Sequence, residues 1–72
     1  MNKSELDFAV FCIENLAEHL SMNGSEIYDM LTSKSQILDD YILPNYEVLH
    51  TQGKEYIIND LIEYLKEKGL LE

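Results

Sequence analysis

Residues Tyr46 to Ile58 read YEVLHTQGKEYII, and this stretch decides the path of the chain. His50, Thr51, Gln52 and Gly53 interrupt two segments of apolar periodicity. Gly53 and Lys54 then lead into the cleanest helical pattern in the sequence, Lys54 to Lys68. In that segment Ile57, Ile58, Leu61, Ile62, Tyr64 and Leu65 form a broad apolar face. Glu55, Asn59, Asp60, Glu63 and Glu67 form the wet one. Lys66 and Lys68 suit the negative end of the helix, and Gly69 stops it. Leu70 and Leu71 follow and are expected to fold back onto the core. Tyr56 projects on the wet side among Asp60, Glu63 and Glu67.

Upstream of the junction, Asn45 to His50 forms a short helix with Gly53 as its stop and His50 near its C-terminal end. Pro44 lacks an N–H and restricts Leu43, so the preceding helix, 35–43, breaks or kinks there. Ser35 caps that helix, and Ile37, Leu38, Tyr41 and Ile42 make its apolar face. Before it, 25–32 opens at Ser25 and turns Ile27 and Leu31 inward. The first helix spans 5–22. Ser4 is its cap, with Asp7 three residues on. Leu6, Ala9, Val10, Ile13, Leu16, Ala17 and Leu20 recur at three- and four-residue steps as its core face. Asn23 and Gly24 end it. The fold expected is all-α: a compact single-domain bundle, 1–72, of four to five helices at 5–22, 25–32, 35–43, 45–50 and 54–68.

Seventy-two residues with one cysteine bound the chemistry. A chain of this length buries only about 60% of its unfolded surface, so a monomer is marginal without efficient helix packing or an oligomer. Cys12 has no partner for an internal disulfide and sits beside the apolar face of the first helix as a small core residue. No Cys/His spacing suggests zinc. The longest apolar run, Phe8 to Ile13, is far shorter than the ~20 residues of a membrane span. Lys3 is followed by Glu5 and Asp7, unlike a signal peptide, and the chain reads as cytoplasmic.

The net charge is −9, with fourteen acids and no arginine, spread along the chain rather than gathered in a tail. Such a surface repels nucleic-acid phosphates and anionic lipid. It serves solubility, or it steers in a basic protein partner. The helices 25–32 and 35–43 invite a helix-turn-helix reading. The second of them would present Asp39 and Asp40 to a phosphate-lined groove, and no basic cluster exists to hold DNA.

On the first helix Asp7, Phe11, Glu14 and Glu18 fall on a stripe opposite the expected core face. Tyr56 and Asp60 repeat the pattern on the last helix: one aromatic among acids. Either a neighbouring helix or a second copy of the chain covers Phe11 and Tyr56 packs on the preceding loop, or these residues are aromatic anchors ringed by acids at a protein interface. Catalytic and metal chemistry find little support. Glu14, Glu18 and His19 do not make a zinc-helix arrangement, and Ser4, Ser25 and Ser35 read as caps rather than nucleophiles. His50, Thr51 and Gln52 form the one polar cluster that looks chosen. Its expected work is to satisfy exposed backbone groups at a helix junction, with a ligand role as the alternative. No cofactor, metal or enzymatic activity is expected.

The segments E-I-Y-x-x-L (Glu26–Leu31), I-L-x-x-Y-I (Ile37–Ile42) and L-H-T-Q-G-x-x-Y-I (Leu49–Ile57) together resemble a family of small bacterial proteins of unknown function, about this long, with L-H-T-Q-G the most specific part. The resemblance implies a bacterial, Firmicute-type origin and assigns no activity. It also implies gene neighbours similar to ADP-ribosyltransferase-like toxins, and through them an antitoxin or immunity role. The leading expectation is thus a non-enzymatic acidic protein-interaction module. A self-associating homodimeric helical protein is the alternative, and a nucleic-acid-binding regulator the third.

Overall fold

The computed structural model describes residues 1–71. They fold as an all-α bundle of α1 (Lys3–Leu20), α2 (Gly24–Thr32), a π-helical turn (Leu38–Ile42), α3 (Tyr46–Leu49) and α4 (Lys54–Glu67). α1 packs on α2 and on α4, and α2 meets the π turn. The radius of gyration is 11.1 Å. The core closes around Leu16, Ile27, Leu31, Ile42, Leu61 and Leu65, and no polar side chain is buried among the described residues. No helix among them is long and apolar enough to cross a membrane.

Two helices start on a shared piece of chemistry that replaces the expected serine caps. Asn2 Oδ1 accepts from Glu5 N–H at 2.8 Å while Asn2 N–H donates to Glu5 Oε1 at 2.9 Å. Asn23 and Glu26 repeat this at 2.8 and 3.3 Å. These are reciprocal capping boxes. They place the start of α1 ahead of Ser4 and the start of α2 ahead of Ser25. Asn is as good a cap as Ser, and glutamate is one methylene longer than Asp7 for the reach back.

The stop of α1 also falls earlier than expected. Ser21 takes the left-handed conformation, φ 54°, and Met22 N–H donates to Ala17 O at 3.0 Å. That satisfies an orphan carbonyl of the last turn. Gly24 belongs to α2 and packs against α1, where an added Cβ would lie 3.8 Å from Ile13 Cγ2.

α1 is turned by roughly a quarter revolution from the expected face, at 100° per residue. Phe8, Ala9, Cys12 and Leu16 are buried, whereas Leu6 and Val10 are 50% and 43% exposed. The run Phe8–Ile13 is apolar on every side, so periodicity there does not single out a face. The choice falls to tertiary packing, in which α1 lies on α2 and α4 and the Phe8 ring stands edge-on to Tyr46 of α3 at 5.4 Å.

Pro44 acts as expected, by a specific route. It has no N–H, and its ring would collide with the Asp40 carbonyl in a regular helix. The preceding turn widens instead, and Leu43 N–H donates to Leu38 O at 3.0 Å, five residues back. Gly53 is not the stop of α3, which ends at Leu49 with His50 as its cap. Gly53 is the N-cap residue of α4 in an ordinary extended conformation, φ −69°. Gly69 does end α4, at φ 76°, with Leu70 N–H donating to Leu65 O at 2.9 Å. Leu70 and Leu71 pack against the core.

Candidate functional site

The outer face of α1 carries two exposed apolar side chains side by side. Leu6 and Val10 lie one turn apart and exposed, and Ile13, Ala17 and Leu20 continue the line half-buried. Asp7 and Glu14 stand exposed along its edge. Asp7 Oδ2 is engaged by Lys3 Nζ at 2.9 Å, but both side chains are in water, where such a pair is weak and exchangeable. Glu18, also exposed, lies further round the helix.

Phe11, expected opposite the core, is half-buried and packs against it. Its ring stacks on Phe8, with centroids 6.1 Å apart and planes 13° from parallel. Asn15 Nδ2 donates to Phe11 O at 2.7 Å. Phe8 meets Tyr46, and Tyr46 stacks on His50 at 4.4 Å, so Phe11, Phe8, Tyr46 and His50 form one aromatic column from α1 to the end of α3.

On α4, Tyr56 is 59% exposed, as expected for the wet side. Asp60 is half-buried and accepts a hydrogen bond from the Tyr41 hydroxyl of the π turn. That bond, with burial as the second cause, pushes the Tyr41 phenol up to about 12. Tyr41 packs on Tyr64 at 4.8 Å, and Lys68 Nζ lies 5.7 Å from the Tyr64 ring centre. Asp60 is thus engaged inside its own chain, while Tyr56 is open.

The His50–Gly53 segment closes α3. His50 Nδ1 lies 2.7 Å from Tyr46 O. A carbonyl only accepts, so Nδ1 carries the proton in this contact. Thr51 Oγ1 donates to Val48 O at 2.7 Å, and Gln52 N–H donates to Leu49 O at 3.0 Å. Nothing lies within 4 Å of a Cβ placed on Gly53.

Two shallow depressions flank these elements. One, of about 390 Å³, lies between α1 and α4 and is lined by Asn15, Glu18, His19, Lys54, Glu55, Ile58 and Asn59. It mixes both signs of charge. The other, of about 450 Å³, lies between the start of α1 and α3, with Leu43, Pro44, Tyr46 and Val48 between Glu5 and Glu47. Among the described residues no three His, Cys, Asp or Glu side chains come together as a metal group. Cys12 is fully buried, and burial pushes its thiol up to about 12, which leaves no thiolate for chemistry near neutral pH.

The structure therefore does not merge the two acid–aromatic groups. Glu18 borders the α1–α4 depression, whereas Asp60 faces the π turn. Leu6 and Val10 escaped the sequence reading because they fit a core stripe. The signal that could have found them is their spacing: 6, 10, 13, 17 and 20 follow a four–three–four–three step, the seam of a coiled coil.

No curated protein matches this chain, and no solved structure matches its fold. The model of one sequence family, described as protein of unknown function (DUF3791), matches residues 7–68. That span starts in the second turn of α1, leaving out Lys3 to Leu6, and runs through the later helices to the last residue before Gly69. The chain belongs to the DUF3791 family of proteins of unknown function.

Proposed function

We propose that the protein is a non-enzymatic protein-binding module whose contact surface is the outer face of α1. The observation that carries the reading is the pairing of Leu6 and Val10, exposed one turn apart, with Asp7 and Glu14 at their edge, on a chain of net charge −9. An apolar centre with a charged rim is the anatomy of a protein interface. The acidic surface favours a cationic partner and speeds its encounter. Within that reading the protein is a bacterial, cytoplasmic antitoxin or immunity-like partner of a neighbouring gene product. This finer role is supported by the likeness of the Leu49–Ile57 segment to small bacterial proteins and by the acidity of the surface.

Phe11, half covered by its own chain, is a poor probe of this surface, because its substitution disturbs the aromatic column as well. Val10→Glu is the better one. Tagged wild type and Val10→Glu are used to capture partners from the native host, after circular dichroism has established that both are folded. One protein recovered stoichiometrically with wild type and lost with Val10→Glu is the expected result. Equal recovery by both, or none by either with the same mass in light scattering, overturns the reading. A dimer that Val10→Glu dissociates favours the homodimeric alternative.

A further inference from the structure

The partner's chemistry follows from the geometry of this same face, so the inference rests on the protein-binding reading above. We infer that the occupant of α1 is a basic amphipathic helix seated on its exposed N-terminal half at Leu6 and Val10, with two cations one heptad apart opposite Asp7 and Glu14. Leu6 and Val10 open an alternating four–three spacing continued by Ile13, Ala17 and Leu20, the spacing of a helix–helix seam, and these first two positions are the ones turned to solvent. The exposed part, from Leu6 to Glu14, extends for about 12 Å at 1.5 Å per residue. Only Leu6 and Val10 are open; Ile13, Ala17 and Leu20 are half-buried and pack against the protein's own core.

Charge selects the kind of helix. Asp7 and Glu14 are seven residues apart, and both fall at the position flanking the seam, where partner-selecting ion pairs form in helix pairs. The one cation beside them on α1, Lys3, is held only by an exposed pair to Asp7 that an incoming lysine or arginine displaces. A second copy of this chain brings another −9 and is repelled. An extended peptide needs a sheet edge, and the described residues contain no strand.

The test uses the folded protein, isotope-labelled, and a synthetic peptide of about three heptads with leucine at the seam positions and lysine at the flanks. Its controls are the same residues in scrambled order and an analogue with glutamate flanks, all at about 0.15 M salt. The expected result is a shift footprint confined to α1 between Leu6 and Ala17, with gain of helix by the peptide. Affinity falls at least tenfold in Val10→Glu and in the double variant Asp7→Lys, Glu14→Lys. The double variant in turn takes the glutamate-flanked peptide. Equal binding of the scrambled peptide, no binding of the ordered one, an unchanged affinity in the double variant, or a footprint elsewhere overturns the inference. A Val10-dependent natural partner that docks through a loop defeats the helix alone and leaves the protein-binding reading standing. Failure to capture any Val10-dependent partner defeats that reading, whatever the peptide does.

Discussion

The Tyr41 hydroxyl donates to the Asp60 carboxylate across nineteen residues of chain, tying the π turn to the middle of α4. The bond keeps Tyr41 protonated well past the ordinary tyrosine value, to about 12. Its folded value is raised, so its contribution to stability is fully present below pH 10 and is lost as pH rises through about 12. Tyrosinate absorbance should show Tyr41 ionising later than an ordinary tyrosine. Tyr41→Phe removes that late step and lowers stability by about 1 kcal/mol, as a lost hydrogen bond does. A wild-type titration with no late tyrosine contradicts the pairing.

The orientation of α1 can be checked by substitution alone. Val10→Glu and Leu6→Glu, at exposed positions, change stability by no more than about 0.5 kcal/mol. Phe8→Ala removes a buried ring and costs about 3–5 kcal/mol. Thermal melts by circular dichroism read all three. A large loss in Val10→Glu with a small one in Phe8→Ala would mean that α1 sits on the face its periodicity first suggests.

The two asparagine boxes should outweigh the serines beside them. Asn2→Ala and Asn23→Ala each cost about 1 kcal/mol, and Ser4→Ala costs little, because Ser4 lies inside α1 rather than at its cap. Denaturant melts of the three variants decide between the caps.

Ser21 and Gly69 predict effects of opposite sign. Ser21 holds φ 54° with a side chain, so Ser21→Gly raises stability by about 1 kcal/mol. Gly69 holds φ 76°, and Gly69→Ala lowers it by a similar amount, about 1 kcal/mol. Equal shifts in one direction would show that the left-handed stops do not govern these ends.

Cys12 should be inert until the chain opens. Its thiol is fully buried and raised to about 12, so a thiol reagent at neutral pH reacts at the rate of unfolding. Labelling that does not accelerate with denaturant would place Cys12 at the surface.

Much of this protein is legible without coordinates. The periodicity of Lys54–Lys68 sets α4 and its core face, because a long segment with one clear apolar side has only one way to bury it. Pro44 forces an interruption, since a missing N–H is a local fact, and Gly69 stops α4 for an equally local reason. The acidity of the surface needs no structure either. Tertiary packing decided what the local pattern left degenerate. Between Phe8 and Ile13 every side of α1 is apolar, so its rotation was set by packing on α2 and α4, with the ring of Phe8 meeting Tyr46 some forty positions away. That one rotation buried Cys12, half-covered Phe11 and left Leu6 and Val10 in water. It thereby moved the candidate interface from the aromatic stripe to the aliphatic seam beside it. The Tyr41–Asp60 bond is of the same kind. Two side chains nineteen residues apart meet where Tyr41 of the π segment reaches α4, a contact that no local pattern announces.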